Sequence, residues 1–367
     1  MLTNSPGAMS IALTGLLVLG ADAASAQDQI QNGKVERRQA TAVARELAAL
    51  PASTEPVWVG WRVPMIPGDR GICSWYGDND GMIRGMVLDQ GGLGSSRPQL
   101  APPSGPLQLE GGTRLVVLLR IVEGRIERLR TAGDDCPIDA QGRTVYWLDG
   151  IAPAESLRYL DTLLTMEGDD RTGPLPGLRA SIASSALSAI GHHGDAGADT
   201  ILDRLAAGGG TGSLRSAAVR HLGSLRGARG FASLQRLLAA EQDPAVRRTL
   251  TTAIGQTREP GTVEAMRTLT RDVDARVRAE AVYWLAVRGG TAVTPEVVKL
   301  IESDPDTTVK RRALSGLSRL PDNAGIAPLL QLARTSTDPV VKKEAVAVLS
   351  RSKDPRATAF MEELIKR

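Results

Sequence analysis

Five stretches in the second half of the chain share one pattern of apolar and polar positions: TGSLRSAAVRHLG (211–223), DPAVRRTLTTAIG (243–255), DARVRAEAVYWLA (274–286), DTTVKRRALSGLS (306–318) and DPVVKKEAVAVLS (338–350). Aligned on the apolar residue that opens each unit, the positions are Ile182, Leu214, Val246, Val277, Val309 and Val341, spaced 31 or 32 residues apart. At +4 stand Ala186, Ala218, Leu250, Ala281, Ala313 and Ala345, and at +8 Ile190, Leu222, Ile254, Leu285, Leu317 and Leu349. Positions 0, +4 and +8 share one face of a helix, so each unit predicts an amphipathic helix with an apolar stripe.

Asp243, Asp274, Asp306 and Asp338 stand three residues before that stripe, two of them followed by proline (Pro244 and Pro339). Aspartate accepts the unpaired amide hydrogens of a first helical turn, and proline at the first helical position loses no hydrogen bond. Position +9 is small: Gly191, Gly223, Gly255, Ala286, Ser318 and Ser350. The expectation is that the helix ends there. A second apolar helix follows in residues 230–240, 261–271, 294–303, 325–334 and 356–367. One such helix pair cannot bury its apolar face alone, whereas stacked pairs share a continuous core.

Residues 55–154 change pattern. Short runs rich in aromatic and β-branched residues occur at 57–66, 71–77, 82–89 and 144–151. In TRLVVLLRIVEGRIERLRTAG (113–133) two apolar-rich arms flank Glu123-Gly124, a two-residue hairpin turn. These runs predict a small antiparallel β domain. Ahead of it, residues 27–54 predict an amphipathic helix, on the spacing of Val35, Val43, Leu47 and Leu50 with Pro51 as its stop, and a connector. Residues 155–177 predict a helix and a linker. The layout expected is therefore α+β and multidomain, with an α-solenoid of about six short helix pairs over 178–367.

Residues 1–26 carry an apolar run from Ile11 to Leu19 and end in Ala24-Ser25-Ala26, a small-x-small cleavage pattern. The expectation is an export signal cleaved after Ala26 and a periplasmic or secreted chain. No Lys or Arg precedes the run, which leaves an uncleaved anchor or a start at Met9 as alternatives. Export makes one disulfide the expected state of the only two cysteines, Cys73 and Cys136, with two buried thiols as the alternative.

The unit written D-P-x-V-R/K-x-x-A-x-x-x-L-G resembles the HEAT-like repeat of the phycobilisome-lyase type. The resemblance implies the stacked helix-pair fold over about half the chain and says little of activity. Three enzyme groups share this kind of repeat. Pigment lyases work in the cytoplasm of phototrophs, which an export signal opposes. Deoxyhypusine hydroxylases carry His-Glu pairs that hold iron, and none of the three histidines here precedes a glutamate. DNA glycosylases act on a polymer that an exported chain does not meet.

Charge then separates the two halves. Residues 178–367 hold 28 Lys+Arg against 20 Asp+Glu, and residues 27–177 hold 16 against 20. Positions +1 and +2 of the repeat supply Arg215, Arg247, Arg248, Arg278, Lys310, Arg311, Lys342 and Lys343, with Arg312 beside them. Part of this basic ladder is expected to pair with the aspartates of neighbouring units. The surplus is expected to attract an acidic protein partner or an anionic envelope surface. Nucleic acid fits the charge but not the compartment.

Other candidates are weaker. Trp58, Trp75 and Tyr76 are candidate aromatic contacts for a glycan or peptide, the last two beside Asp78, Asn79 and Asp80 in an Asx-rich turn. His192 and His193, with Asp195, are weak metal candidates in a turn between helices, and His221 lies inside a repeat helix. No nucleophile elbow, zinc-protease motif or phosphate loop occurs. The reading is a monomeric, exported, non-enzymatic scaffold without a cofactor. The competing reading places glycan or peptide binding, with or without hydrolysis, in the β domain, or metal-dependent chemistry akin to the HEAT-like hydroxylases.

Overall fold

The computed structural model describes residues 29–51, 53–67, 72–78, 81–89, 100, 112–165, 174 and 177–366. The expected export signal, most of the linker before residue 178, Asn79 and Asp80 lie outside these residues.

Among the described residues nine strands precede the helical array: β1 (Ile30–Gln31), β2 (Lys34–Gln39), β3 (Val57–Pro64), β4 (Ser74–Asp78), β5 (Gly81–Val87), β6 (Arg114–Val122), β7 (Arg125–Gly133), β8 (Ile138–Asp139) and β9 (Thr144–Asp149). Helix α1 (Val43–Ala48) lies between β2 and β3, and α2 (Pro153–Thr162) follows β9. The strands form a five-stranded sheet of order β2-β9-β3-β6-β7 and a four-stranded one of order β1-β8-β5-β4. The β6–β7 turn falls on Glu123 (φ 51°) and Gly124 (φ 75°), as the hairpin reading expects.

Two expectations are corrected here. The region is not purely antiparallel: β9 runs parallel to both β2 and β3, and β8 runs parallel to β1 and β5. Nor are residues 27–50 one helix. Val35 lies in strand β2, opposite Val145 of β9, and only Val43–Ala48 is helical. The strand is held from far along the chain, by the β9 ladder and by Arg37, whose Nε and Nη2 reach Asp149 at 2.8 and 2.6 Å. The sheet region thus begins at residue 30 rather than 55.

The continuous apolar runs of β3 and β6 follow from burial on both faces. The pairs Val59–Leu119, Trp61–Val117 and Val63–Leu115 lie on one face, in the core shared with α2 and the helices after it. Trp58, Val116 and Leu118 lie on the other, packed with Val145, Trp147, Met86, Leu88 and Ile138. Gly60 makes the second face possible, because a Cβ there would stand 2.9 Å from Leu118 and 3.1 Å from the Trp147 ring. The Cys73–Cys136 disulfide is formed, with Cα atoms 5.5 Å apart.

Twelve α-helices follow as six pairs. The first helices are α3 (Arg179–His192), α5 (Gly212–Leu225), α7 (Pro244–Gln256), α9 (Ala275–Gly289), α11 (Thr307–Leu317) and α13 (Pro339–Leu349). The second helices are α4 (Gly197–Ala206), α6 (Gly227–Ala240), α8 (Thr262–Leu269), α10 (Thr294–Ser303), α12 (Ile326–Thr335) and α14 (Pro355–Ile365). Asp243, Asp274, Asp306 and Asp338 cap α7, α9, α11 and α13 through their carboxylates, and Asp354 does the same for α14. Consecutive first helices pack on one another from α3 to α13. Their +4 and +8 residues form the core that continues from the sheet, joined at position 0 by Ile182, Leu214, Val309 and Val341, with Val246 half-buried against it.

The helix ends at or within one residue of +9 in four units: α11 and α13 stop before Ser318 and Ser350, and α3 and α7 run one residue past Gly191 and Gly255, whereas α5 continues past Gly223 to Leu225 and α9 past Ala286 to Gly289. The glycines at +9 also do something else. A Cβ on Gly223 would stand 2.5 Å from the Ala253 carbonyl oxygen, and one on Gly255 2.2 Å from the Trp284 ring. The small residue lets the next unit's helix approach.

The sheet closes one end of this array. Helix α3 packs on β6 and β7, and α2 on β3, α3 and α4. Trp61 donates from Nε1 to the Ser156 hydroxyl of α2 at 2.9 Å and meets Tyr159 edge-on.

Candidate functional site

The basic ladder sits along the first helices, where the +1 side chain leans toward the following unit. Arg215 reaches Glu241 at 2.6 Å, and Arg278 reaches Asp304 at 2.8 Å. Arg247 pairs with Asp272, and Lys310 with Asp338. All four are thus joints between units. In three joints the carboxylate is not the cap aspartate but stands two residues before it. Glu241, Asp272 and Asp304 also accept the backbone N–H of Asp243, Asp274 and Asp306 at 2.8–2.9 Å. The backbone bonds at Glu241, with Arg215 beside it, hold its carboxyl below the usual range. The signal missed in sequence is this acidic residue five before the opening positions Val246, Val277 and Val309.

At +2, Arg248 approaches Glu280 at 3.4 Å, and Arg311 pairs with Glu344 at 2.9 Å. Glu280 is 5% exposed and also accepts from Arg312, whose guanidinium covers the Tyr283 ring. Lys342 and Lys343 are exposed and have no partner among the described residues. The ladder therefore divides into cations joined between units and cations left open to solvent.

The open cations continue at the C-terminal ends of α11 and α13. A groove of about 490 Å³ there is bordered by Arg319, Arg351 and Lys353, over a floor of Leu317, Ile326 and Val348. The three cations are exposed and unpaired among the described residues, and no Asp or Glu lines the groove. The run Leu-Ser-Arg, at 317–319 and again at 349–351, is the sequence signal for them.

The aromatic candidates divide. Trp58 is fully buried and donates from Nε1 to Asp89 at 3.1 Å, so it is a core residue and not a stacking surface. Trp61 and Trp147 are buried with it. Trp75 and Tyr76 lie in β4, and their side chains are outside the described residues, as is that of Asp78.

The histidines belong to a structural junction between the sheet and the array. His192 Nδ1 lies 2.8 Å from the Ser188 carbonyl oxygen, and its ring meets His221 edge-on. His193 is fully buried, and its Nδ1 accepts the Asp195 N–H. Its backbone bridges to Met65, while Gly194 N–H donates to the Pro64 carbonyl at 2.7 Å and Ile66 N–H to that of His192 at 3.0 Å. Arg226, its side chain fully buried, donates to the His193 carbonyl at 2.7 Å and to Asp199 at 2.6 Å. Burial lowers the His193 pKa to about 4. Among the described residues no three His, Cys, Asp or Glu side chains gather as a metal site.

Among solved structures, human deoxyhypusine hydroxylase is similar at 14% identity over 57% of this chain and 90% of its own, with a TM-score of 0.30. The YibA protein of Escherichia coli is similar at 17% identity over 59% of this chain and 79% of its own, with a TM-score of 0.35. The complex of CpcE and CpcF of phycocyanin lyase from Nostoc sp. PCC7120 gives 18% identity, 56% and 80% coverage, and a TM-score of 0.31. The search of curated proteins gave no match. The sequence profile of HEAT repeats matches residues 198–286 and 294–367, and over those residues the array is built of HEAT repeats.

Proposed function

We propose that this protein is an exported, non-enzymatic scaffold whose HEAT-repeat array holds an acidic protein partner in the cell envelope. The observation that carries the reading is the division of the basic ladder. Arg215, Arg247, Arg278 and Lys310 are spent on joints between units, while Lys342, Lys343, Arg319, Arg351 and Lys353 stand open along the last two units. The joints favour a rigid surface. The open cations favour a positive field that steers an acidic partner onto it. Stacked helix pairs supply the long surface such binding uses.

The export reading rests on the apolar run before Ala24-Ser25-Ala26. That setting favours protein over nucleic acid as the partner. The scaffold acts as a monomer and without a cofactor.

The test uses the whole chain from Gln27 as bait in envelope extracts. Excising the repeats near residue 178 would uncover the α3 face that packs on β6 and β7. The expected result is one protein retained at low salt and released as the screening length falls from about 10 Å at 0.1 M to about 3 Å at 1 M. Retention of no protein above a control bait would sink the scaffold reading. Retention indifferent to salt would leave a scaffold but remove the acidic partner.

A further inference from the structure

The groove between the last two units carries a more specific reading. Arg319 and Arg351 occupy the same place in consecutive repeats, two residues past the +8 leucine. The four earlier units have His192, Ser224, Gln256 and Val287 there. A basic residue after a helix C-terminus often serves the carbonyls of the last turn. Those carbonyls are already occupied here. In α11, Leu314, Gly316 and Leu317 accept backbone N–H groups from Ser318, Arg319 and Leu320, and Ser315 accepts the Ser318 hydroxyl. In α13, Val346, Val348 and Leu349 accept from Ser350, Arg351 and Ser352, and Ala347 accepts the Ser350 hydroxyl. The guanidinium groups are thus needed neither for capping nor for ion pairing. Lys353 adds a third free cation on the same border.

We propose that this groove binds an acidic peptide segment of the protein partner, with carboxylates on Arg319, Arg351 and Lys353 and an apolar side chain against the half-buried Val348. The proposal rests on the scaffold reading above and adds the place and the chemistry of contact. Arginine pairs with carboxylates through a planar fork, which suits an aspartate or glutamate side chain. Packed helices stand about 8–10 Å apart. An extended chain advances about 3.3 Å per residue, so acidic residues roughly three positions apart match the two arginines. Leu317 and Ile326 beneath are buried and offer a ligand little surface, so the spacing of the two arginines is what favours a peptide, with two carboxylates on one chain, over a single lipid headgroup.

The experiment measures fluorescence anisotropy with the full chain. The probes are a short labelled peptide of glutamate, leucine and glycine, its glutamine counterpart, and vesicles of anionic phospholipid. The variants are Arg319→Gln with Arg351→Gln, and Arg271→Gln with Lys299→Gln, exposed residues away from the groove, as a control for general charge; circular dichroism verifies that each is folded. The expected result is binding of the glutamate peptide, weakened roughly tenfold or more (about 1.4 kcal/mol) by the paired arginine substitutions and little changed by the control pair. Failure of wild-type protein to bind the peptide would overturn the proposal, as would equal loss in both double variants. Arginine-dependent binding of the vesicles alone would replace it with a lipid site. If envelope bait experiments retain a partner that the arginine variant holds as well as wild type, the groove is wrong and the scaffold stands.

Discussion

Arg278 and Asp304 join two repeats and start a helix with the same carboxylate. The guanidinium Nε lies 2.8 Å from Asp304 Oδ2, while Asp304 Oδ1 accepts the backbone N–H of Asp306, the cap of α11. Both side chains are largely buried, at 16% and 6% exposure. Arg278→Gln leaves that carboxylate poorly paired and is expected to lower unfolding stability by about 1.5–3 kcal/mol, measured by urea denaturation. Arg334→Gln breaks a pair to Glu363 that is exposed on both sides and should cost less than about 1 kcal/mol. Equal losses in the two variants would contradict the joint.

Gly255 sets how closely α7 and α9 approach. Gly255→Leu drives a side chain into the Trp284 ring, 2.2 Å from where its Cβ would sit, and is expected to destabilise the chain by about 1–3 kcal/mol. Gly212→Ala meets nothing within 4 Å and should stay within about 0.5 kcal/mol of wild type. Parallel thermal melts distinguish the two. A tolerated leucine at 255 would show that the small residue at +9 is not a spacing device.

The junction between sheet and array depends on pH through His193. Its pKa falls from 6.5 to about 4 because burial opposes the charged ring, with buried Arg226 adding to the effect and Asp195 opposing it. The unfolded chain binds this proton more readily than the folded one. Stability from a neutral His193 is therefore complete above about pH 6.5 and is lost as pH falls toward 4. At about 1.4 kcal/mol per pH unit the loss is on the order of 3 kcal/mol. His193→Gln should reduce the slope between those values, with buried His221, likewise lowered to about 4, supplying the remainder. An unchanged slope would remove His193 as its source.

Reduction of Cys73–Cys136 is expected to lower the melting temperature. The bond closes a span of 63 residues, for which the chain-entropy model gives about 4 kcal/mol at most. Calorimetry with and without a reductant checks this, with the Cys73→Ser and Cys136→Ser double variant expected to match the reduced protein. A reductant effect on that variant would point to some other cause.

The array was legible because each unit states its own helix. Val246, Leu250 and Ile254 mark one face within nine residues, and Asp243 caps the helix locally. The Glu123-Gly124 turn is legible for the same reason. What escaped depends on distant partners. Val35 is a strand residue because β9 lies beside it, more than a hundred residues later. The basic ladder was visible as charge, but its acceptors Glu241, Asp272 and Asp304 are set by how one helix leans on the next. Which cations remain open, at 319, 351 and 353, follows only once those pairs and the last-turn carbonyls are assigned. Trp58 and His193 show the converse, since residues with useful chemistry in a sequence turned out to be enclosed.

The sheet that covers α3 gives the array a direction. At that end the neighbour of the first helix is a β surface, made once and not interchangeable with a repeat. Further along, the joints from α5 to α13 follow one rule at +1, a cation reaching the next unit's acid, with a small residue at +9. Such a construction can be lengthened or shortened between its middle joints in steps of about 32 residues. The span between the covered end and the basic groove is therefore adjustable, while both ends keep their own chemistry. Evolution or design could use this to set the reach of the molecule as a tape measure is set, without remaking either contact.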